Sequence, residues 1–224
     1  MDIAELLSMI PTEAWAAIGG GAATGLIAAR SEIASHYRRW QSSKVVGGLK
    51  RVVEANEVLR SVCADTGGVR ALVISLHNGG GMPSPTRPVY VTIVSEWVGL
   101  DRDPVMTHWQ SLPVDQDYLR MTNRLYEVDR LRVIATQGVG EAAPESTFHP
   151  APGSMLYDTY AANGIPMSEV WPIGVSLSKK AFYYVSVRFD RPHEDTPLLR
   201  HRMRSCVTEL QGIMRLNPVT LKDS

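Results

Sequence analysis

Two stretches of the chain are dense in β-branched and aromatic residues and flank a Gly/Pro/Ser-rich break. The first, Val69 to Leu76, is nearly all apolar, and the second runs from Pro88 to Trp97. Together they predict two consecutive antiparallel strands. The scarcity of polar positions in the first predicts a central strand covered on both faces.

Before them, 31–63 reads mostly as helix, with Val45, Val46, Leu49, Val52, Val53, Val58, Leu59 and Val62 at helical spacing. Gly47-Gly48 marks a kink or break, since each glycine costs roughly 1 kcal/mol against alanine. Asp65-Thr66-Gly67-Gly68 ends the helix.

After the strands, 100–113 is irregular and 115–128 predicts a short helix. Then come a strand at 131–136, a loop at 137–152 and a short helix at 154–163 stopped by Asn163-Gly164. Two strands, 167–177 and 181–190, are joined by Ser178-Lys179-Lys180. A last helix runs from about 197 to 216 on an apolar stripe that includes Leu199, Met203, Cys206 and Leu210. The economical packing for this order is an α+β fold: a central antiparallel sheet of about five strands, with the N- and C-terminal helices on one face.

The N-terminal segment changes this picture. Ala14 to Ala29 carries no charge and is rich in Ala and Gly. A spanning helix wants about 20 apolar residues, so this stretch is short. The small residues Ala17, Gly21 and Gly25 would let helices approach closely, in lipid or in a protein assembly. The stretch from Arg30 to Arg51 has six basic residues against one acid, a flank that favours the cytoplasmic side. Two readings stay open: a membrane anchor through 14–29, or a helix packed in a homo-oligomer. The expected organisation is a hydrophobic helix at 1–30, a basic linker at 31–43, a folded domain at 44–217 and a tail at 218–224.

Bulk numbers narrow the rest. The 224 residues are 44% hydrophobic and 21% charged, a globular composition. Basic and acidic residues balance at 23 each, so no nucleic-acid partner is expected. Cys63 and Cys206 form neither a metal pattern nor a disulfide framework, and each reads as a small core residue in a reducing compartment. The six histidines are scattered, and no P-loop, Rossmann, H-E-x-x-H or G-x-S-x-G motif occurs. No catalytic residue, metal or cofactor is assigned. A metal cluster of His77, His108 and His149 has no support in spacing. The basic start of the last helix (Arg200, His201, Arg202, Arg204) reads as a solvated face.

The element order, with Ala162-Asn163-Gly164-Ile165-Pro166-Met167-Ser168-Glu169-Val170-Trp171-Pro172-Ile173 and the strand Ala181 to Phe189, resembles the GAF domain family of PAS-like sensor folds. The family's customary glycine in that strand is absent. Ala64-Asp65 … Val69 and Leu76-His77-Asn78-Gly79 are similar to an A-D-R-V … F-H-N-G signature in small bacteriophage and bacterial proteins that pair a hydrophobic helix with a GAF-like domain.

This resemblance implies a cavity between the sheet and the variable region. It would place His77, Asn78, Gly79, Gly80, Trp97, Tyr157, Tyr160 and Trp171 near a small-molecule pocket. The glycine backbone could present N–H groups to an anion. The plainer reading is that His77 and Asn78 cap a strand end while the glycines permit positive φ. Neither the cyclic-nucleotide signature nor a cysteine placed for bilin attachment is present.

The expected function is a non-enzymatic binding or interaction module, anchored or assembled through its N-terminal helix. Self-association through the N- and C-terminal helices is expected with it. The alternative is a structural component of a phage particle or another homo-oligomeric assembly.

Overall fold

The computed structural model describes residues 48–78, 88–135, 146–178 and 180–219. Two compact units divide the chain, Met1–Lys50 and Arg51–Ser224, and the elements below belong to the second apart from the first turn of its leading helix. The proposed hydrophobic helix at 14–29 and the glycines Gly79 and Gly80 lie outside the described residues. Among the described residues no helix is long and apolar enough to cross a membrane.

Helix α1 is described from 48 to 66 and ends at Gly67, which takes φ +74°. Strand β1 (Arg70–His77) and strand β2 (Tyr90–Val98) follow, then a short 3-10 turn at Met106–His108 and strand β3 (Leu112–Pro113). Helix α2 (Gln116–Glu127), strand β4 (Leu131–Ile134), strand β5 (Thr147–Phe148) and helix α3 (Met155–Ala162) come next. Strands β6 (Met167–Val175) and β7 (Ala181–Phe189) and helix α4 (Pro197–Met214) complete the chain.

The helices begin where side chains can take up free backbone N–H groups. Asp115 accepts from the Tyr118 amide at α2, Ser154 from Tyr157 at α3, and Thr196 from Leu199 at α4. Asp115 serves twice: one carboxylate oxygen caps α2 at 2.8 Å and the other accepts the Met155 amide of α3 at 2.6 Å. A single short side chain thereby fixes the relative position of two helices. Pro197 occupies the first turn of α4, where its missing N–H has no partner to lose.

The sheet has seven strands in the order β3-β2-β1-β7-β6-β4-β5. All five predicted strands are present. The two additions, β3 and β5, are two residues each, too short for a hydrophobic period to show in sequence. The β4–β5 pair is parallel, which corrects the expectation of a purely antiparallel sheet. At its centre β1 pairs with β7 from Arg70↔Arg188 to His77↔Ala181.

The expectation of helices on one face holds for α1 and α4 and is incomplete for the rest. Ala55, Leu59, Val62 and Cys63 of α1 meet Leu199, Met203, Cys206 and Leu210 of α4 over Ala71, Val73, Trp171, Ile173, Val185 and Val187. The opposite face of the same strands carries Leu72, Ile74, Val170, Phe182 and Tyr184, covered by Tyr118, Met121 and Leu125 of α2 and Leu156 and Tyr160 of α3. The fold is thus three layers, and β1 is buried on both sides, as its composition requires. Gly174 allows a close approach after α4: a Cβ there would lie 2.3 Å from the Asn217 carbonyl oxygen, where the chain bridges back to Val175.

Candidate functional site

Strand alternation decides where the polar side chains of β1 and β7 go. Leu72, Ile74 and Leu76 face α2 and α3, so Arg70 faces them too. Phe182 and Tyr184 take the same side, so Ser186 and Arg188 do as well. Register then sets Arg70, Arg188 and Ser168 side by side across β1, β7 and β6. Both arginines are 2% exposed. This row is the polar end of an otherwise apolar face.

Arg70 is held by protein groups. Its Nη1 donates to Asn163 Oδ1 at 3.1 Å and its Nη2 to the Asp103 carbonyl oxygen at 2.5 Å. Its Nε lies 3.4 Å from the buried Glu96 carboxylate. Glu96 is itself occupied, accepting the Val105 amide at 3.0 Å and the Met106 amide at 2.7 Å. Burial, and then the neighbouring Arg188 charge, lowers the Arg70 pKa, with Glu96 acting in the opposite direction. Nearby, Arg102 donates to the Asn163 carbonyl oxygen at 3.0 Å.

Arg188 is different. Its Nε and Nη1 are buried and have no hydrogen-bond partner among the described residues. Its guanidinium carbon lies 5.2 Å from the centre of the Tyr160 ring. A cation over an aromatic face contributes about 2 kcal/mol when desolvated. Burying an ion costs several kcal/mol even after relaxation, so the ring offsets part of the cost and leaves a remainder.

Around Arg188 the phenol hydroxyls pair with one another. Tyr118 Oη bonds Tyr184 Oη, and Tyr160 Oη bonds Ser168 Oγ. Burial raises the pKa of both Tyr118 and Tyr184, so these phenols stay protonated donors. Each hydroxyl pair has two hydrogens and uses one between its members. Each pair also keeps free oxygen lone pairs, so the unmet donors of the site are those of Arg188.

The structure divides the residues picked from sequence. Tyr160 lies in this cluster. Tyr157, on the same helix, is half-buried. His77 ends β1, where its Nε2 is 3.0 Å from Thr92 Oγ1 and its ring stacks on Tyr90. These contacts tie the end of β1 to β2. Asn78 follows it directly as a partly buried bend. Trp97 and Trp171 belong to the α1/α4 core on the other side of the sheet. The expectation of one pocket holding both tryptophans with Tyr160 is therefore corrected: alternation turns Trp97 and Trp171 to the α1/α4 face of the sheet, while the helix that carries Tyr160 covers the opposite face.

Sequence reading passed over Arg70, Glu96 and Arg188. The available signal was a charged residue inside a strand already read as covered on both sides. Apolar content drew attention to these strands, and their isolated charges were left without an assignment.

A second polar region lies on the α1/α4 side at the sheet edge, a cavity of about 250 Å³ lined by Arg130, Arg132, Ser146, Thr147, Glu169 and Asp195. Its charges neutralise one another. Arg130 makes two bonds to Asp195 at 2.6 and 2.5 Å, Arg200 reaches the same carboxylate at 2.9 Å, and Arg132 holds Glu169 at 2.7 Å. Those guanidinium contacts pull the Asp195 pKa down to about 2, the Arg130 hydrogen bond being the largest cause. Burial raises the Glu169 pKa and outweighs the pull of Arg132. This arrangement is a structural network.

No family model matches the chain, and no curated protein matches it. Among solved structures it is similar to the phycocyanobilin-bound GAF domain from a cyanobacterial phytochrome, with 15% identity, 77% of this chain and 88% of that one covered, and a TM-score of 0.48. It is also similar to the blue-light absorbing form of the Thermosynechococcus elongatus PixJ GAF domain, with 10% identity, 74% and 86% covered, and a TM-score of 0.47. The bilin named in the first belongs to that protein.

Proposed function

We propose that this chain is a non-enzymatic binding module that takes a small molecule on the α2/α3 face of its sheet. The supporting observation is the buried Arg188 guanidinium, with two N–H groups that meet no acceptor among the described residues, set beside Tyr160, Tyr118 and Tyr184 in a largely apolar layer. Buried polar atoms without partners are rare in folded proteins, and a missing partner is their usual explanation. In the charged cavity at the sheet edge, Arg132 Nη2 also lacks a hydrogen bond, but its guanidinium is ion-paired to Glu169.

Native mass spectrometry of the purified full chain tests this reading. A bound small molecule is expected, lost on denaturation. A chain of bare mass, with no ligand-induced shift of the Tyr160 environment by NMR on screening small metabolites, would overturn it.

The finer proposal is that the module is assembled or anchored through its uncharged 14–29 segment. Flotation with liposomes separates the two cases: an anchored chain follows lipid only when residues 1–30 are present, whereas an assembled one stays with the soluble fraction as an oligomer. Self-association through a second copy is proposed along α1 and α4, where Val53 is 61% and Leu198 60% exposed. Sedimentation of the full chain as a monomer would count against it.

A further inference from the structure

We infer that the group recognised at this site is a small oxyanion, a carboxylate or phosphate, which meets the guanidinium of Arg188. This rests on the proposed binding function and specifies its chemistry. Three observations converge on it.

The first is charge. Two guanidinium groups, Arg70 and Arg188, are 2% exposed and adjacent in register, and the buried carboxylate that accompanies them, Glu96, is engaged by Arg70 and by two backbone amides. Among the described residues, one positive charge is left over. The Tyr160 ring, 5.2 Å away, is its protein partner and holds no formal charge.

The second is the hydrogen-bond inventory. Arg188 Nε and Nη1 have no acceptor among the described residues. The Tyr118–Tyr184 and Tyr160–Ser168 pairs each retain one hydrogen and free oxygen lone pairs, so they can meet a ligand as donor or acceptor and do not restrict it. A group that complements Arg188 must bring acceptor atoms. An oxyanion is that group, and charge-assisted bonds to it are about twice as strong as neutral ones.

The third is the contrast with the other arginines of the molecule that are drawn into its polar networks. Arg130 and Arg200 share Asp195, and Arg132 holds Glu169. Where this protein needs only structure, it supplies the carboxylate. At Arg188 it supplies an aromatic ring and hydroxyls.

The test is thermal unfolding of the full chain at constant ionic strength, with sodium chloride replaced stepwise by sodium acetate or by sodium phosphate. For the wild type, the midpoint is expected to rise with oxyanion concentration by several degrees, since a ligand at about 100 times its Kd stabilises measurably and about 1 kcal/mol moves Tm by a few degrees in a domain of this size. The acetate arm and the phosphate arm rank the two sources. R188M is expected to abolish the rise, and R188K, which keeps the charge without the planar fork, to weaken it by roughly tenfold in apparent affinity.

A rise that persists unchanged in R188M would overturn the inference, as would no rise in either arm. If R188M does not fold, R188K carries the test, and affinity identical to wild type there overturns the inference. A neutral molecule found by native mass spectrometry in a chain that ignores both anions would leave the binding function standing and remove the oxyanion assignment. A chain that binds nothing would remove both.

Discussion

The two faces of the sheet are built from the same strands and do different work. Toward α1 and α4, the core of β1, β6 and β7 is mostly hydrocarbon, indole and sulfur, its buried charge Glu169 is paired with Arg132 at the sheet edge, and Cys63 and Cys206 sit within it as ordinary packing residues. Toward α2 and α3, the same strands present aromatics, paired hydroxyls and two buried arginines. Apolar burial is non-directional and tolerates many sequences, whereas a buried charge is stable only with a specific partner. The first face holds the fold. The second carries information about what is missing from it.

The largest effects should separate these roles. L59A and L210A each open a cavity in the α1/α4 layer at side chains with no exposure, and each is expected to cost about 2–5 kcal/mol in urea denaturation. R70M strands the buried Glu96 carboxylate and should cost about 3–5 kcal/mol in the same assay. A loss below 1 kcal/mol for R70M would mean that Glu96 is not held by Arg70.

A smaller effect tests how the α2/α3 layer is positioned. D115A removes two helix caps together, so it should cost about 2 kcal/mol, against about 1 kcal/mol for S154A. Equal losses would show that the Asp115–Met155 bond contributes nothing.

Smaller still is the pH response of the edge network. Asp195 is depressed to about 2 from 3.8, so its contribution is present above pH 4 and lost as pH falls toward 2. Glu169 is raised, so its contribution runs the other way: stability is fullest below about pH 4.5 and declines as pH rises through the elevated value. D195N should flatten the acid limb of a stability–pH curve between about 4 and 2, and E169Q should leave that limb unchanged.

The smallest change is in chemistry at the cysteines. Burial raises both thiols to about 12, so neither should react with iodoacetamide in the native state, and both should react once unfolded.

Much of the architecture was legible in the chain. Long strands and helices announce themselves by period, and caps such as Asp115, Ser154 and Thr196 mark where helices start. The α1/α4 stripe and the double burial of β1 followed from the apolar residues alone. What could not be read was parity between distant strands. Trp97 and Trp171 share with Tyr160 an aromatic character and nothing else, because the faces they occupy depend on register and on bulges in β2 and β6. The β2 bulge sets Val94 opposite the Val73–Ile74 step of β1 with nothing in its sequence to mark it, whereas the β6 bulge at Ile173 is flanked by Pro172 and Gly174, residues that such irregularities favour. The candidate site was half legible. Tyr160 was named. Arg188 was visible in sequence as a charge inside a buried strand, and its meaning needed the neighbours that only folding supplies.

Arg188 is a buried cation with no anionic partner among the described residues. The unfolding free energy of R188M, measured beside R70M in chloride buffer free of oxyanions, tests this most directly. R188M is expected to lose nothing, or to gain about 1 kcal/mol, while R70M loses about 3–5 kcal/mol. A loss in R188M equal to that in R70M would contradict it, because Arg188 would then be held by the fold as firmly as its neighbour.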